Sequence, residues 1–248
     1  MWKLFQYPAG MTPWETGLAM VVYLIACALQ GAVGFGANLF AVPLLALINP
    51  SLVPVPVLLA SPVLNGLMTW RERGHVEKPI LTWTLLGRLP GVVLGVVALQ
   101  AFSGDRLGVL FGVLLLLAVG LKVSGLAPQR SKKLLLGAGG LSGFMATTVG
   151  VGGPPVALTL HDLDGASFRA TMSPYFLIGT SMSVVGLAMG GQITGQDFAT
   201  ALWLAPAVVA GVALSGPLRS RIDAGRVSTS VYVLSAVAAV ALLLRSLL

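Results

Sequence analysis

Long apolar runs alternate along this chain with short breaks of Gly, Pro and charge. Apolar stretches fall at about 14–33, 38–49, 52–70, 80–101, 107–121, 134–149, 154–160, 170–189, 198–216 and 228–247. Runs such as LGVLFGVLLLLAVGL (Leu107–Leu121) show no strict alternation, so they predict helices and not the strands of a barrel. Most approach the ~20 residues that a spanning helix needs. Two pairs are anomalous. Segments 14–33 and 38–49 are separated only by GFGAN, and 134–149 and 154–160 only by GVGG. In each pair the second member is too short to cross a bilayer.

The anomaly repeats. VGFG (Val33–Gly36) matches VGVG (Val149–Gly152), and LPGVVLGVV (Leu89–Val97) matches APAVVAGVA (Ala205–Ala213), both at an offset of 116 residues. Two matches in one register predict an internal duplication. The expected fold is an all-α integral membrane domain of two homologous halves, residues 1–125 and 126–248. Each half is a Gly-broken helical hairpin followed by three transmembrane helices.

Loop charges bear on whether the halves are parallel or inverted. If each broken pair crosses once, the loop cations divide about nine against five. If each pair is a hairpin returning to its own side, Arg71, Arg73, Lys78, Lys122, Arg130, Lys132, Lys133, Arg169, Arg219, Arg221 and Arg226 share the cytoplasmic side. Only Lys3, Arg106 and Arg245 then face out, and eleven against three obeys the positive-inside rule better. Equivalent loops also carry opposite charge, RERGHVEK against GGQITGQ and SGDR against LRSRIDAGR. An inverted repeat with both termini outside is the expectation.

Composition agrees. The 248 residues are 56% hydrophobic and 9% charged, where soluble domains carry roughly 25% charge. A soluble fold would lack polar surface. The net charge of +7 reads as loop cations that orient the protein, with no nucleic-acid partner implied. The opening MWKLFQYPAGMTPW is short and interrupted by Pro8 and Pro13, so no cleavable signal peptide is expected. The single cysteine, Cys27, allows no intramolecular disulfide.

Inverted halves with discontinuous helices are how a transporter builds its site at the bilayer midplane. The stretch TTVGVGGPPVALTLHD (Thr147–Asp162) is too rich in Gly and Pro for a helix interior. Irregular backbone at that depth persists only when packed in protein or lining a cavity. Short helices are expected to start at about Asn38, as an N-cap, and at Pro154 in a first turn. Two such starts facing each other would offer N–H groups and positive dipole ends to an anion. Candidate binding residues are therefore Gly34, Gly36, Ala37, Asn38, Gly150, Gly152 and Gly153 in the turns, with Gln30, Thr147 and Thr148 beside them. Each polar side chain could equally bond a helix carbonyl. Ser61 and Ser181 are weaker candidates.

Arg88 lies near the middle of an apolar span, where a charge is costly and calls for a reason. Its planar fork suits an oxyanion; pairing with a backbone carbonyl is the competing explanation. Gly87, Gly91 and Gly95, four residues apart, read as close helix packing. His161 beside Asp162 is a candidate for proton handling at the cytoplasmic mouth. No Asp or Glu lies deep in an apolar span, so potential-driven export suffices, each negative charge leaving gaining about 2.3 kcal/mol per 100 mV.

The two turns resemble signatures of the TauE/SafE sulfite-exporter family of membrane permeases. QGAVGFGANLFAVPLLALINP is similar to its first Gly-rich turn, and GGLSGFMATTVGVGGPPVALTLHDLDGASFRATMSPYFLIGTS to its second. The first turn of that family usually ends in a run of glycines, where this chain has Ala37 and Asn38. The resemblance implies a multi-pass protein of the bacterial inner membrane that moves sulfite or a small organosulfonate. An alternating-access exporter is the leading reading, and proton-coupled uptake of another small anion or sulfur metabolite is the alternative. The expected partners are a small anionic substrate and the lipid bilayer, with a homo-oligomer left open and no cofactor or metal. The chain shows no HExxH, no GxSxG and no carboxylate pair, so an intramembrane enzyme is disfavoured. An accessory subunit would not require duplicated broken helices.

Overall fold

A computed structural model of the chain describes residues 11–72, 74–102, 105–219, 236–241 and 243–244. Among these residues all regular structure is helical. The helices are α1 (Pro13–Val33), α2 (Ala37–Ile48), α3 (Val55–Arg71), α4 (Lys78–Ala101), α5 (Asp105–Val123), α6 (Lys132–Val149), α7 (Gly153–Ala157), α8 (Gly165–Met189) and α9 (Gly195–Arg219). Residues 236–241 and 243–244 are also helical. The remainder of the expected 228–247 helix lies outside the described residues, as do Lys3, Arg73, Arg221, Arg226 and Arg245 of the charge count.

Among the described residues four helices are long and apolar enough to cross a membrane: Pro13–Val33, Lys78–Ala101, Gly165–Met189 and Gly195–Leu218. The chain is a multi-pass membrane protein. The short second members of the anomalous pairs are α2, of 12 residues, and α7, of 5, the latter extended by a 3-10 turn over Leu158–Leu160.

Local chemistry sets the helix ends. Thr12 and Glu15 form a reciprocal capping box that starts α1, with Pro13 in its first turn. Asp164 starts α8 by accepting from the Ala166 and Ser167 N–H groups at 2.8 and 3.1 Å. The breaks are left-handed. α1 stops at Gly34 (φ 104°), α2 is preceded by Gly36 (φ 105°), and α6 stops at Gly150 (φ 76°). A side chain at any of these would be strained.

The largest interfaces are α4 along α6 and α1 along α9. A Cβ on Gly87 or Gly91 would fall on the α6 backbone carbonyls of Leu136 and Gly140, which confirms close packing at these glycines. The helix directions can be read from contacts. α1 and α3 run the same way, because Tyr23 meets Val57 (3.4 Å) and Gln30 meets Asn65 (2.8 Å). α6 and α8 likewise run together, through Ser142 with Tyr175 and Thr147 with Ser183. α3 and α8 run oppositely, with Gly66 beside Leu177 and Glu72 beside Arg169.

Candidate functional site

The two glycine breaks meet. Asn38 donates from Nδ2 to the Gly150 carbonyl at 2.9 Å, a contact across 112 residues of sequence. This corrects the expected role of Asn38. The N-cap of α2 is Gly36, which makes no side-chain cap bond, and Asn38 sits one residue inside the helix. Its amide instead satisfies a carbonyl left over at the end of α6. A second, longer bond runs from Nδ2 to Ser61 Oγ at 3.4 Å. The Asn38 Oδ1 atom is buried and has no hydrogen-bond partner among the described residues. An unsatisfied buried acceptor costs about 1–3 kcal/mol.

Gln30 closes the first break on itself. Its Oε1 accepts from the Ala37 N–H at 3.2 Å, and its Nε2 donates to Asn65 Oδ1 at 2.8 Å.

Between the breaks lies a cavity of about 30 Å³. One water needs about 10–15 Å³ on this measure, so the space suits a solute of a few heavy atoms. Of the residues expected in the site, Gln30, Gly36, Asn38, Arg88, Gly150, Gly152 and Gly153 line it, together with Ser61. Gly34, Ala37, Thr147, Thr148 and Ser181 do not line it. The Thr147 hydroxyl donates to Ser183 at 3.0 Å, while those of Thr148 and Ser181 bond carbonyls of their own helices. Gly34 packs under the Arg169 side chain. His161 is exposed, its Nδ1 3.0 Å from the Leu158 carbonyl, away from the cavity.

Arg88 is fully buried on α4. Nε donates to the Gly179 carbonyl at 3.1 Å. Nη1 donates to Ser142 Oγ at 3.1 Å and to Tyr175 Oη at 3.0 Å, and Nη2 reaches Ser183 Oγ at 3.4 Å. The guanidinium also sits 5.2 Å from the Tyr175 ring centre. These partners pass the ordering on. Tyr175 donates to Ser142 at 2.7 Å, and Ser142 donates to the Gly152 carbonyl in the second break. Arg88 thus binds a backbone carbonyl, the competing explanation, and it is also among the residues lining the cavity.

Four of its five N–H groups are engaged, and all the acceptors are neutral. Among the described residues no carboxylate pairs with it. A full positive charge therefore sits in a low-dielectric interior without a countercharge, which is costly unless an anion is to be bound there.

The helix starts contribute less than expected. Pro154 and Pro155 occupy the first turn of α7 and carry no N–H, and a helix of 5 residues has little dipole. The first N–H of α2 is held by Gln30. Positive potential in the cavity comes mainly from Arg88.

Residues beyond those expected complete the surroundings. Tyr175, Gly179 and Ser183 form a stripe of every fourth residue on α8 facing Arg88, a spacing visible in the sequence. Phe35 in the first break packs edge-on to Phe168, with ring centres 5.6 Å apart. Nearby, Glu72 joins Arg71 at 3.5 Å and Arg169 at 3.3 Å, its side chain only 5% exposed. Arg71 extends this cluster to the Gly31 carbonyl and to Ser215 Oγ, which ties α1, α3, α8 and α9 together beside the first break.

No curated protein and no solved structure matches the chain. Residues 19–242 match the family model described as sulfite exporter TauE/SafE. That span takes in both glycine breaks, Arg88 and the cavity between them, and the chain belongs to the sulfite exporter TauE/SafE family.

Proposed function

We propose that this protein is a permease that exports a small sulfur-containing oxyanion, sulfite being the best fit, across the bacterial inner membrane. The observation that carries this reading is Arg88: a buried cation, without a carboxylate partner among the described residues, lining a cavity between two broken helices. The cavity volume favours a few-atom anion over a bulky organosulfonate. The substrate would be held by Arg88 with Asn38 and the backbone of Gly36, Gly152 and Gly153, while Thr147 would steady Arg88 through Ser183.

The two halves, 1–125 and 126–248, would form an inverted repeat. At the offset of 116 residues, α3 corresponds to α8, and these two run oppositely. α1 corresponds to α6 and α4 to α9, and the two largest interfaces exchange under that correspondence. The shared direction of α1 and α3 supports broken pairs that return to their own side. With positive loops inside, both termini are placed outside. Alternating access would then arise from rocking of the halves around the cavity. The inside-negative potential supplies about 2.3 kcal/mol per 100 mV for each negative charge exported, enough without a coupled ion.

The test is efflux of radiolabelled sulfite from proteoliposomes. Saturable efflux that rises with an inside-negative potential is expected. Flux no greater than in protein-free liposomes, for sulfite and for small sulfonates alike, would remove the proposal.

A further inference from the structure

The Asn38 carboxamide sets a condition on the ligand that Arg88 alone does not. Both hydrogens of Nδ2 are committed, to the Gly150 carbonyl and to Ser61 Oγ. The amide cannot turn over, because Oδ1 would then face the Gly150 carbonyl oxygen at hydrogen-bond distance. Ser61 does not relieve this, since its one hydroxyl hydrogen goes to the Val57 carbonyl at 2.7 Å. Oδ1 is therefore a fixed, buried acceptor with no donor among the described residues, on a residue that lines the cavity. An acceptor in an anion site repels a bare oxyanion and welcomes one that carries a hydrogen.

Charge gives the same answer independently. Arg88 is the one ionisable side chain among the described residues lining the cavity. A singly charged anion neutralises it. A doubly charged anion would leave a net negative charge in the membrane interior.

We propose that the site selects a singly charged, singly protonated oxyanion, hydrogensulfite in the case of sulfite, and that Asn38 Oδ1 accepts the ligand's hydrogen. This rests on the reading that the cavity binds a small sulfur oxyanion. The proton travels with the substrate and none is exchanged with the protein.

Other ionisable groups stand around the site without lining it. They are Tyr175 on α8, Tyr23 and Cys27 on α1, and the cluster of Arg71, Glu72 and Arg169 beside the first break. α6 presents hydroxyls there, through Ser142, Thr147 and Thr148. The discriminating experiment must therefore separate titration of the ligand from titration of the protein.

Binding of radiolabelled sulfite and selenite to the purified full chain in nanodiscs, measured from about pH 6 to pH 9, does so. Selenite gives up its second proton at higher pH than sulfite. The expected result is an apparent Kd, on total sulfite, that weakens about tenfold per pH unit once the second proton is lost. For selenite the onset moves up by the difference between the two ligands. An onset at the same pH for both, or affinity that is flat or improves with pH, overturns the inference while leaving anion binding intact. No binding of either ligand at any pH removes the inference and the function beneath it together. Asn38→Leu removes the acceptor, and in this variant the advantage of the protonated over the unprotonated form should fall about tenfold or more. An unchanged advantage in the folded variant overturns the role of Asn38. If that variant does not fold, the two-ligand comparison in the natural chain decides alone.

Discussion

The amide nitrogen of Asn38 lies 2.9 Å from the carbonyl oxygen of Gly150, and with this bond the start of one broken helix closes the end of the other. The two breaks are thereby in direct contact. Beneath them, Arg88 holds the second break through Ser142 and the Gly152 carbonyl.

Removing the Arg88 charge should separate stability from activity. Replacing a buried charge by an apolar side chain of similar volume is often neutral or stabilising. Tyr175, Ser142, Thr147 and Ser183 remain bonded to one another or to carbonyls without it. Arg88→Met is expected to melt at or above the natural protein in detergent, yet lose about 100-fold or more in sulfite efflux. A variant that melts well below the natural chain would assign Arg88 to the framework instead.

Close packing of α4 on α6 makes a second prediction. A methyl on Gly91 would collide with the Gly140 carbonyl, whereas one on Gly137 meets nothing within 4 Å. Gly91→Ala should destabilise by about 1–3 kcal/mol and Gly137→Ala should change little. Melting temperatures of the two single variants check this directly.

The buried ion cluster predicts an asymmetry between two glutamates. The Glu72 side chain is 5% exposed between two arginines, while the Glu77 side chain is 33% exposed and 3.9 Å from His75. Glu72→Gln leaves Arg71 and Arg169 without their shared countercharge and is expected to cost about 3 kcal/mol. Glu77→Gln should stay within about 0.5 kcal/mol. Equal effects in thermal unfolding would contradict the packing described around the first break.

Asp164 gives a pH dependence with a definite sign. Hydrogen bonding to Ser167 first, then to Ala166, with the Arg169 charge nearby, holds its carboxyl below the ordinary 3.8. A depressed folded-state value means that the stabilisation is present above the ordinary value. It is lost as pH falls through the lowered one. The melting temperature of the natural protein should therefore drop more steeply below about pH 4 than that of Asp164→Asn, which keeps a capping side chain that does not titrate. Parallel acid profiles for the two proteins would contradict this.

Much of this was legible in the residues. GFGAN and GVGG mark both breaks because left-handed backbone needs glycine, and the apolar runs place the helices to within a few residues. Arg88 stands out because no loop can hold it. The partners of Asn38 were not legible, because a contact across 112 residues leaves no local pattern. Asn38 reads as a cap by its type, and only the left-handed Gly36 before it moves it inside the helix. The weak dipole at α7 was legible in Pro154 and Pro155, since proline has no N–H to offer. Arg88's partners on α8 follow a simple spacing, but Tyr175, Gly179 and Ser183 become a stripe only once Arg88 is known to face them.

The most direct measurement is anomalous diffraction from crystals grown with selenite, whose selenium locates a bound oxyanion without ambiguity. A peak is expected in the cavity bounded by Gly36, Asn38, Gly152 and Arg88, within charge-assisted hydrogen-bond reach of the guanidinium. That peak should vanish in Arg88→Met. An empty cavity beside selenium peaks elsewhere at saturating selenite, or a peak that persists without Arg88, would contradict it.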